Sequence, residues 1–245
     1  MRRILWVTAV LSIVSLRVAA ASADDQADAR KIVDKAIKAT GGEEKLAKLK
    51  AQIVKDTGTY YGQGAGLPYT GIYSFQYPNQ FRMEIADVFT IVVNGDKGWM
   101  KANGETAELD AEKIKVQHDD LYVSWLTTLL PLKDKQYKLA TMGESKVNDR
   151  LAVGVRVSAE KRRDVTLFFD KETGLLVKEQ HRGIAEEQGN KEVDQVAFFS
   201  EFKDFEGIKY PSKTLVTRDG EKYVESETTE YKAVGKLDDS VFGKP

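Results

Sequence analysis

From residue 51 onward, apolar and polar side chains alternate with a period of two, and the turn signals between the alternating runs are only a few residues long. Parallel pairing needs a crossover of a dozen or more residues, so strands this closely spaced run up and down as antiparallel neighbours. The first group covers residues 52–61, 69–77, 80–86, 88–94, 98–102 and 105–109. It is punctuated by Gly62 to Pro68, Pro78-Asn79, Asn94-Gly95-Asp96 and Asn103-Gly104. The second group covers residues 137–147, 150–158, 163–169, 175–182, 192–205, 208–217 and 222–234. Asn148-Asp149, Lys171 to Gly174, Glu206-Gly207 and Asp219-Gly220 supply its hairpin turns. A twisted sheet of about 13 strands cannot stay flat and open.

Three segments break the pattern. Residues 28–38 carry Ile32, Val33, Ala36 and Ile37 at helical spacing, and Gly41-Gly42 stops that helix. Residues 43–49 offer a second short helical turn with Leu46 and Leu49 on one face. Residues 110–130 read as a helix that becomes strongly apolar towards a terminating Pro131. The fold class predicted is mostly β (α+β): a strongly curved antiparallel sheet forming an incomplete barrel. An N-terminal helix and a central helix serve as its lid.

The amino terminus has its own character. Arg2 and Arg3 precede an apolar run from Ile4 to Leu16, and Ala21-Ser22-Ala23 is a small-x-small cleavage site. Such a run is shorter than the roughly 20 residues that span a bilayer, so residues 1–23 read as a secretory signal peptide cleaved near Ala23. Residues 24–245 then form a single domain, exported or periplasmic. Without Arg2, Arg3 and Arg17 the 37 basic groups become 34 against 38 acidic, a formal charge of −4. That balance offers no surface for nucleic acid. The absence of Cys rules out disulfides, a thiolate nucleophile and an acylated lipoprotein anchor.

Catalytic patterns are missing. No Gly-x-Ser-x-Gly elbow, His-Glu-x-x-His helix or Walker loop occurs. Gly62-Gln63-Gly64-Ala65-Gly66 precedes a strand, not the helix N-terminus that a phosphate cradle needs. His118-Asp119-Asp120 reads as the solvated start of a helix, and His181 as a surface residue of a charged strand. Glu201, Asp204 and Glu206 are a chance cluster among 38 carboxylates. The sequence therefore calls for no enzyme, no metal and no cofactor.

The apolar residues say more. Tyr73, Phe75 and Tyr77, then Phe81, Met83 and Ile85, then Phe89, Ile91 and Val93 alternate with more polar neighbours, and Trp99 follows. One face of this meander is broad, apolar and adaptable. The central helix carries Trp125, Leu126, Leu129 and Leu130 on more than one face. Two readings stay open: the helices fill the concave face, or a groove remains that takes an acyl chain. The residues expected to line such a groove are Phe75, Phe81, Met83, Ile85, Phe89, Ile91, Trp99, Trp125, Leu126 and Leu129.

The run Gly71-Ile72-Tyr73-Ser74-Phe75-Gln76-Tyr77-Pro78-Asn79-Gln80-Phe81-Arg82-Met83-Glu84 resembles a hairpin of the outer-membrane lipoprotein carrier (LolA/LolB-like) superfamily. Asn94-Gly95-Asp96-Lys97-Gly98-Trp99 is similar to that family's next hairpin. Phe205-Glu206-Gly207-Ile208-Lys209-Tyr210-Pro211, Thr229 to Lys232 and Leu237 to Phe242 are similar to the closing strands of its longer, lipoprotein-sorting members. The resemblance implies an incomplete barrel with a helical lid over an apolar cavity. It also implies lipid or lipoprotein acyl chains as partners, and an envelope membrane protein as donor or acceptor. The protein is expected to be a monomer. One departure stands out. Family carriers place an arginine before the hairpin proline, where it helps hold the lid, and here that position is Tyr77. What the resemblance carries over is apolar-ligand binding more than gated transfer. The alternative is a sensory or protein-interaction domain with a filled core.

Overall fold

The structure, a computed structural model, describes residues 23–245. The expected leader lies outside the described residues apart from Ala23. No helix among the described residues is long and apolar enough to cross a membrane.

Helix α1 (Ala23–Thr40) is followed by the single turn α2 (Glu43–Leu46). Six strands come next: β1 (Ala51–Tyr60), β2 (Leu67–Gln76), β3 (Gln80–Ile85), β4 (Phe89–Asn94), β5 (Lys97–Ala102) and β6 (Glu105–Glu108). Helix α3 (Ala111–Thr127) and a 3-10 turn (Leu130–Lys133) interrupt them. Seven strands then complete the chain: β7 (Lys138–Val147), β8 (Arg150–Ser158), β9 (Val165–Asp170), β10 (Leu176–Ala185), β11 (Lys191–Phe205), β12 (Ile208–Arg218) and β13 (Glu221–Val234). A last 3-10 turn covers Asp239–Phe242.

All 13 strands belong to one antiparallel sheet, in the order β6-β5-β4-β3-β2-β1-β13-β12-β11-β10-β9-β8-β7. Each group of strands is a meander of neighbours, and the pairing of β1 with β13 joins the two meanders. The chain thus leaves the sheet at one edge, β6, and re-enters at the other, β7. Laid flat, a sheet of this width would measure about 58 Å across, whereas a 17-residue helix covers about 26 Å. Curvature brings the edges towards each other, and α3 crosses the concave face. The result is an incomplete barrel with a helical lid.

The helices fill only part of that concave face. Ala29, Val33, Ala36 and Ile37 of α1 share one stripe and pack with Leu139, Val155, Val157, Val165, Leu167 and Phe169 of β7–β9. The same helix covers the β7 edge. Gln26 Oε1 accepts from the Leu139 amide at 2.6 Å, and Asp25 Oδ1 accepts from the Thr141 amide at 2.9 Å. Edge donors that could template another strand are satisfied in this way.

Helix α3 starts where Asp110 caps the Lys113 amide at 2.8 Å. His118, Asp119 and Asp120 therefore sit within the helix and not at its start, which corrects the sequence reading. The helix also ends before Pro131. The Thr127 and Thr128 hydroxyls bond back to the Ser124 and Trp125 carbonyls, and Leu129 turns left-handed at φ 71°. Pro131 then sits inside the following 3-10 turn. On the convex side, the Asp239–Phe242 turn packs over β3 and β4, and Asn94 Nδ2 donates to the Phe242 carbonyl at 3.3 Å.

Candidate functional site

Between α3 and the sheet lies a cavity of about 560 Å³. Its walls come from β1–β4 and β10–β13 and from the inner face of α3, with Val116, Gln117, Asp120, Leu121, Val123, Ser124 and Thr127. A smaller void of about 100 Å³ adjoins it beneath Leu46, Leu129, Phe199 and Tyr210.

Five of the ten expected groove residues line the main cavity: Phe75, Phe81, Met83, Phe89 and Ile91. Strand register explains this. Phe75 pairs with Phe81, and Met83 with both Tyr73 and Ile91, so one face of three adjacent strands points inward. Ile85 shares that face, paired with Phe89, but does not border the cavity. Leu129 borders the small void.

Three residues are placed elsewhere. Trp99 pairs with Val92, so it belongs to the opposite, convex face. Trp125 stacks on Tyr77 at 6.4 Å and borders an outer hollow with Tyr122, Tyr137 and Arg162. Leu126 is fully buried in the packed core. In each case the side chain was apolar enough for a cavity wall, but strand parity or helix phase turned it away.

The cavity is not uniformly apolar. Crossing the sheet from β4 towards β10, the lining passes from Phe89, Ile91, Phe81 and Met83 to hydroxyls: Tyr73, Tyr69, Ser226, Thr228, Thr214 and Tyr223. It ends at Arg218, Gln195, Glu179 and His181. His181 corrects the sequence reading: it is 7% exposed, not a surface residue. Its Nδ1 donates to Glu179 Oε1 at 2.5 Å, while Nε2 is buried without a hydrogen bond. Burial alone would lower its pKa. The bond to Glu179 and the charges of Glu179 and Asp120 outweigh that and raise it above its ordinary value.

Asp120 is the counterpart on α3. Its carboxyl group meets solvent at the hollows it borders, yet protein surrounds it. Desolvation dominates and pushes its pKa up to about 6, against the opposing pull of His181 and Arg218. Arg218 is fully engaged. It donates to both oxygens of Glu187 at 2.7 and 2.9 Å and to Gln195 at 2.8 Å, and its guanidinium lies 3.6 Å from the Tyr223 ring centre. Asp56, near the middle of the cavity, accepts from the Tyr69 hydroxyl at 2.9 Å, and burial raises its pKa.

The other candidates of the sequence are structural. His118 Nε2 lies 2.9 Å from the Gly95 carbonyl, and Asp119 pairs with Lys115 and Arg162. Glu201 pairs with Lys213, and Asp204 caps the Gly207 amide. No group of three or more His, Asp or Glu side chains that could hold a metal ion occurs among the described residues. The polar end has no hydropathy signal, because the alternation in 178–182 is of charged and polar side chains. Glu179, His181 and Gly183 share a buried parity on β10.

No protein-family model matches the sequence, and no curated protein sequence is detectably similar. Solved structures do match. A LolA-superfamily protein of Nitrosomonas europaea superposes with a TM-score of 0.58 at 12% identity, over 88% of this chain and 97% of that one. A Vibrio parahaemolyticus domain named for outer-membrane lipoprotein sorting gives 0.58 at 10% identity, over 89% and 97%. A DUF1329 family protein of Desulfovibrio piger gives 0.55 at 14% identity, over 88% and 97%. The chain therefore has a LolA-like fold.

Proposed function

We propose that this protein is an exported, non-catalytic carrier or binding protein. It holds lipid or lipoprotein acyl chains between its curved sheet and helix α3. Residues 24–245 act as one unit and as a monomer once the leader is removed. The observation that carries this reading is the 560 Å³ cavity with Phe75, Phe81, Met83, Phe89 and Ile91 along one wall. That volume falls within the range of small-molecule sites, roughly 300–1,000 Å³. Burying an alkyl chain there contributes about 0.8 kcal/mol per CH₂, so useful affinity needs few polar contacts. The lipoprotein-sorting name of the Vibrio parahaemolyticus domain is in keeping with such a cargo. An envelope membrane protein would load or unload it.

The test is direct. Protein purified from its native envelope is extracted with organic solvent, and the extract is examined by mass spectrometry. Stoichiometric lipid or acyl species are expected. A lipid-free protein that also ignores added fatty acids and alkyl glycosides would overturn the reading.

A further inference from the structure

The polar end of the cavity has an unbalanced charge, and the imbalance has a sign. Arg218 is spent on Glu187, Gln195 and the Tyr223 ring. His181 is bound to Glu179 through Nδ1, and its Nε2 has no partner although the ring is more than nine-tenths buried against the cavity. Two carboxylates lining the same end, Asp120 and Glu186, make no hydrogen bond or ion pair with any side chain among the described residues. Both residues are exposed to water at the cavity mouth, although desolvation by the surrounding protein still raises the pKa of each. Four carboxylates of this end, Asp120, Glu179, Glu186 and Glu187, thus stand against Arg218 and His181, and the excess negative charge attracts a cation. An anionic head would face the same groups with the wrong sign.

Resting on the carrier reading above, we propose that this end is a headgroup subsite. It takes an amphiphile with an ammonium or amine head, seated on Asp120 and Glu186 beside His181, with its chain running towards Phe81, Met83 and Ile91. Asp120 points from the lid and Glu186 stands near the start of α3, within electrostatic reach of Lys113. A bound cation would therefore bridge α3 and the 3-10 turn (Glu186–Gln188) that connects β10 to β11. The subsite selects heads, whereas the aromatic wall accepts chains of many kinds.

Isothermal titration of the mature protein with three twelve-carbon probes below their micellar concentrations tests this: dodecylammonium, dodecanoate and dodecyl glucoside. Dodecylammonium is expected to bind at least about tenfold tighter than dodecanoate, the size of one favourable partly buried charge contact. Asp120→Asn should bring the two within about twofold of each other, a loss of roughly the one contact removed. A cooperative melting transition reports that the variant is folded, and Glu186→Gln gives a second reading should Asp120→Asn not fold. If the wild type binds dodecanoate as tightly as dodecylammonium while still binding the glucoside, the subsite is overturned and the carrier reading stands. A preference unchanged in both variants also overturns it. If no probe binds, carrier and subsite fall together.

Discussion

The Tyr77 hydroxyl lies 2.8 Å from Ser124 Oγ and so ties the end of a sheet hairpin to the lid helix. Gln52 Nε2 donates to the same hydroxyl at 2.7 Å, and the Tyr77 ring stacks between Phe75 and Trp125. Family carriers that the sequence resembles place an arginine here. In this chain a neutral, buried hydroxyl makes the contact, and burial pushes its pKa well above that of a free tyrosine. Tyr77→Phe keeps the stacking and removes the pin. A buried donor left without its acceptor costs about 1–2 kcal/mol, and chemical denaturation should show that loss. Release of a bound dodecyl probe should also quicken. Unchanged stability and unchanged release would show that the lid is held by packing alone.

Cavity wall and packed core should answer differently to substitution. Phe81 is half-buried and borders the cavity, whereas Leu126 is fully enclosed by the core. Leu126→Ala should cost about 3 kcal/mol, as deletions of enclosed leucines do. Phe81→Glu should remain folded, because its carboxylate can reach water in the cavity, and should weaken binding of an alkyl probe. An unfolded Phe81→Glu would favour the filled-core, sensory alternative.

The backbone at Gly41 has no room for a side chain. A Cβ there would lie 2.7 Å from the Gly207 carbonyl oxygen, and the residue sits at φ +152°. This is where the chain leaves α1 and passes the β11–β12 turn, with the Gly42 amide bonding back to the Ile37 carbonyl at 2.8 Å. Gly41→Ala must displace backbone, which is far less compliant than the tip of a side chain. A loss of about 2 kcal/mol is expected, read as a lowered denaturation midpoint. Gly64→Ala is the contrast. Its φ is also positive, but open space surrounds it, so it should lose less, about 1 kcal/mol.

How much of this was legible depends on whether the signal is local. The turns Asn94-Gly95, Asn103-Gly104 and Asp219-Gly220 carry positive φ at the residues that tolerate it, so each hairpin could be read from its own few residues. The joining of β1 to β13 is a pairing across nearly the whole chain, and no local pattern encodes it. The apolar wall was legible wherever alternation and facing coincide, as at Phe81, Met83 and Ile91. It failed at Trp99, an aromatic residue on the convex face, the face that the chain's own C-terminal turn partly covers. It failed again at His181 and Asp120. There the inward positions are polar, and hydropathy alone cannot distinguish a polar cavity wall from a solvated surface.

Asp170 gives the fold a pH dependence that can be assigned to one group. Arg150 Nε and Nη2 donate to its carboxylate at 2.7 and 3.1 Å, and the Thr173 amide and hydroxyl donate at 2.7 and 2.8 Å. The Arg150 bonds foremost, and those from Thr173, hold its pKa far below the usual carboxylate range. Because the folded value is the lower one, the contribution is fully present above the unfolded value of about 3.9 and is lost as pH falls towards the folded value. About half of the Arg150 side chain remains in water, which screens the ion pair, so the buried turn bonds supply a good part of the effect. Asp170→Asn should therefore cost about 2 kcal/mol at pH 7, and the gap to wild type should narrow steadily below pH of about 4. Denaturation midpoints of the two proteins across that range measure it. A gap that stays constant down to low pH would mean that Asp170 acts through shape and not through charge.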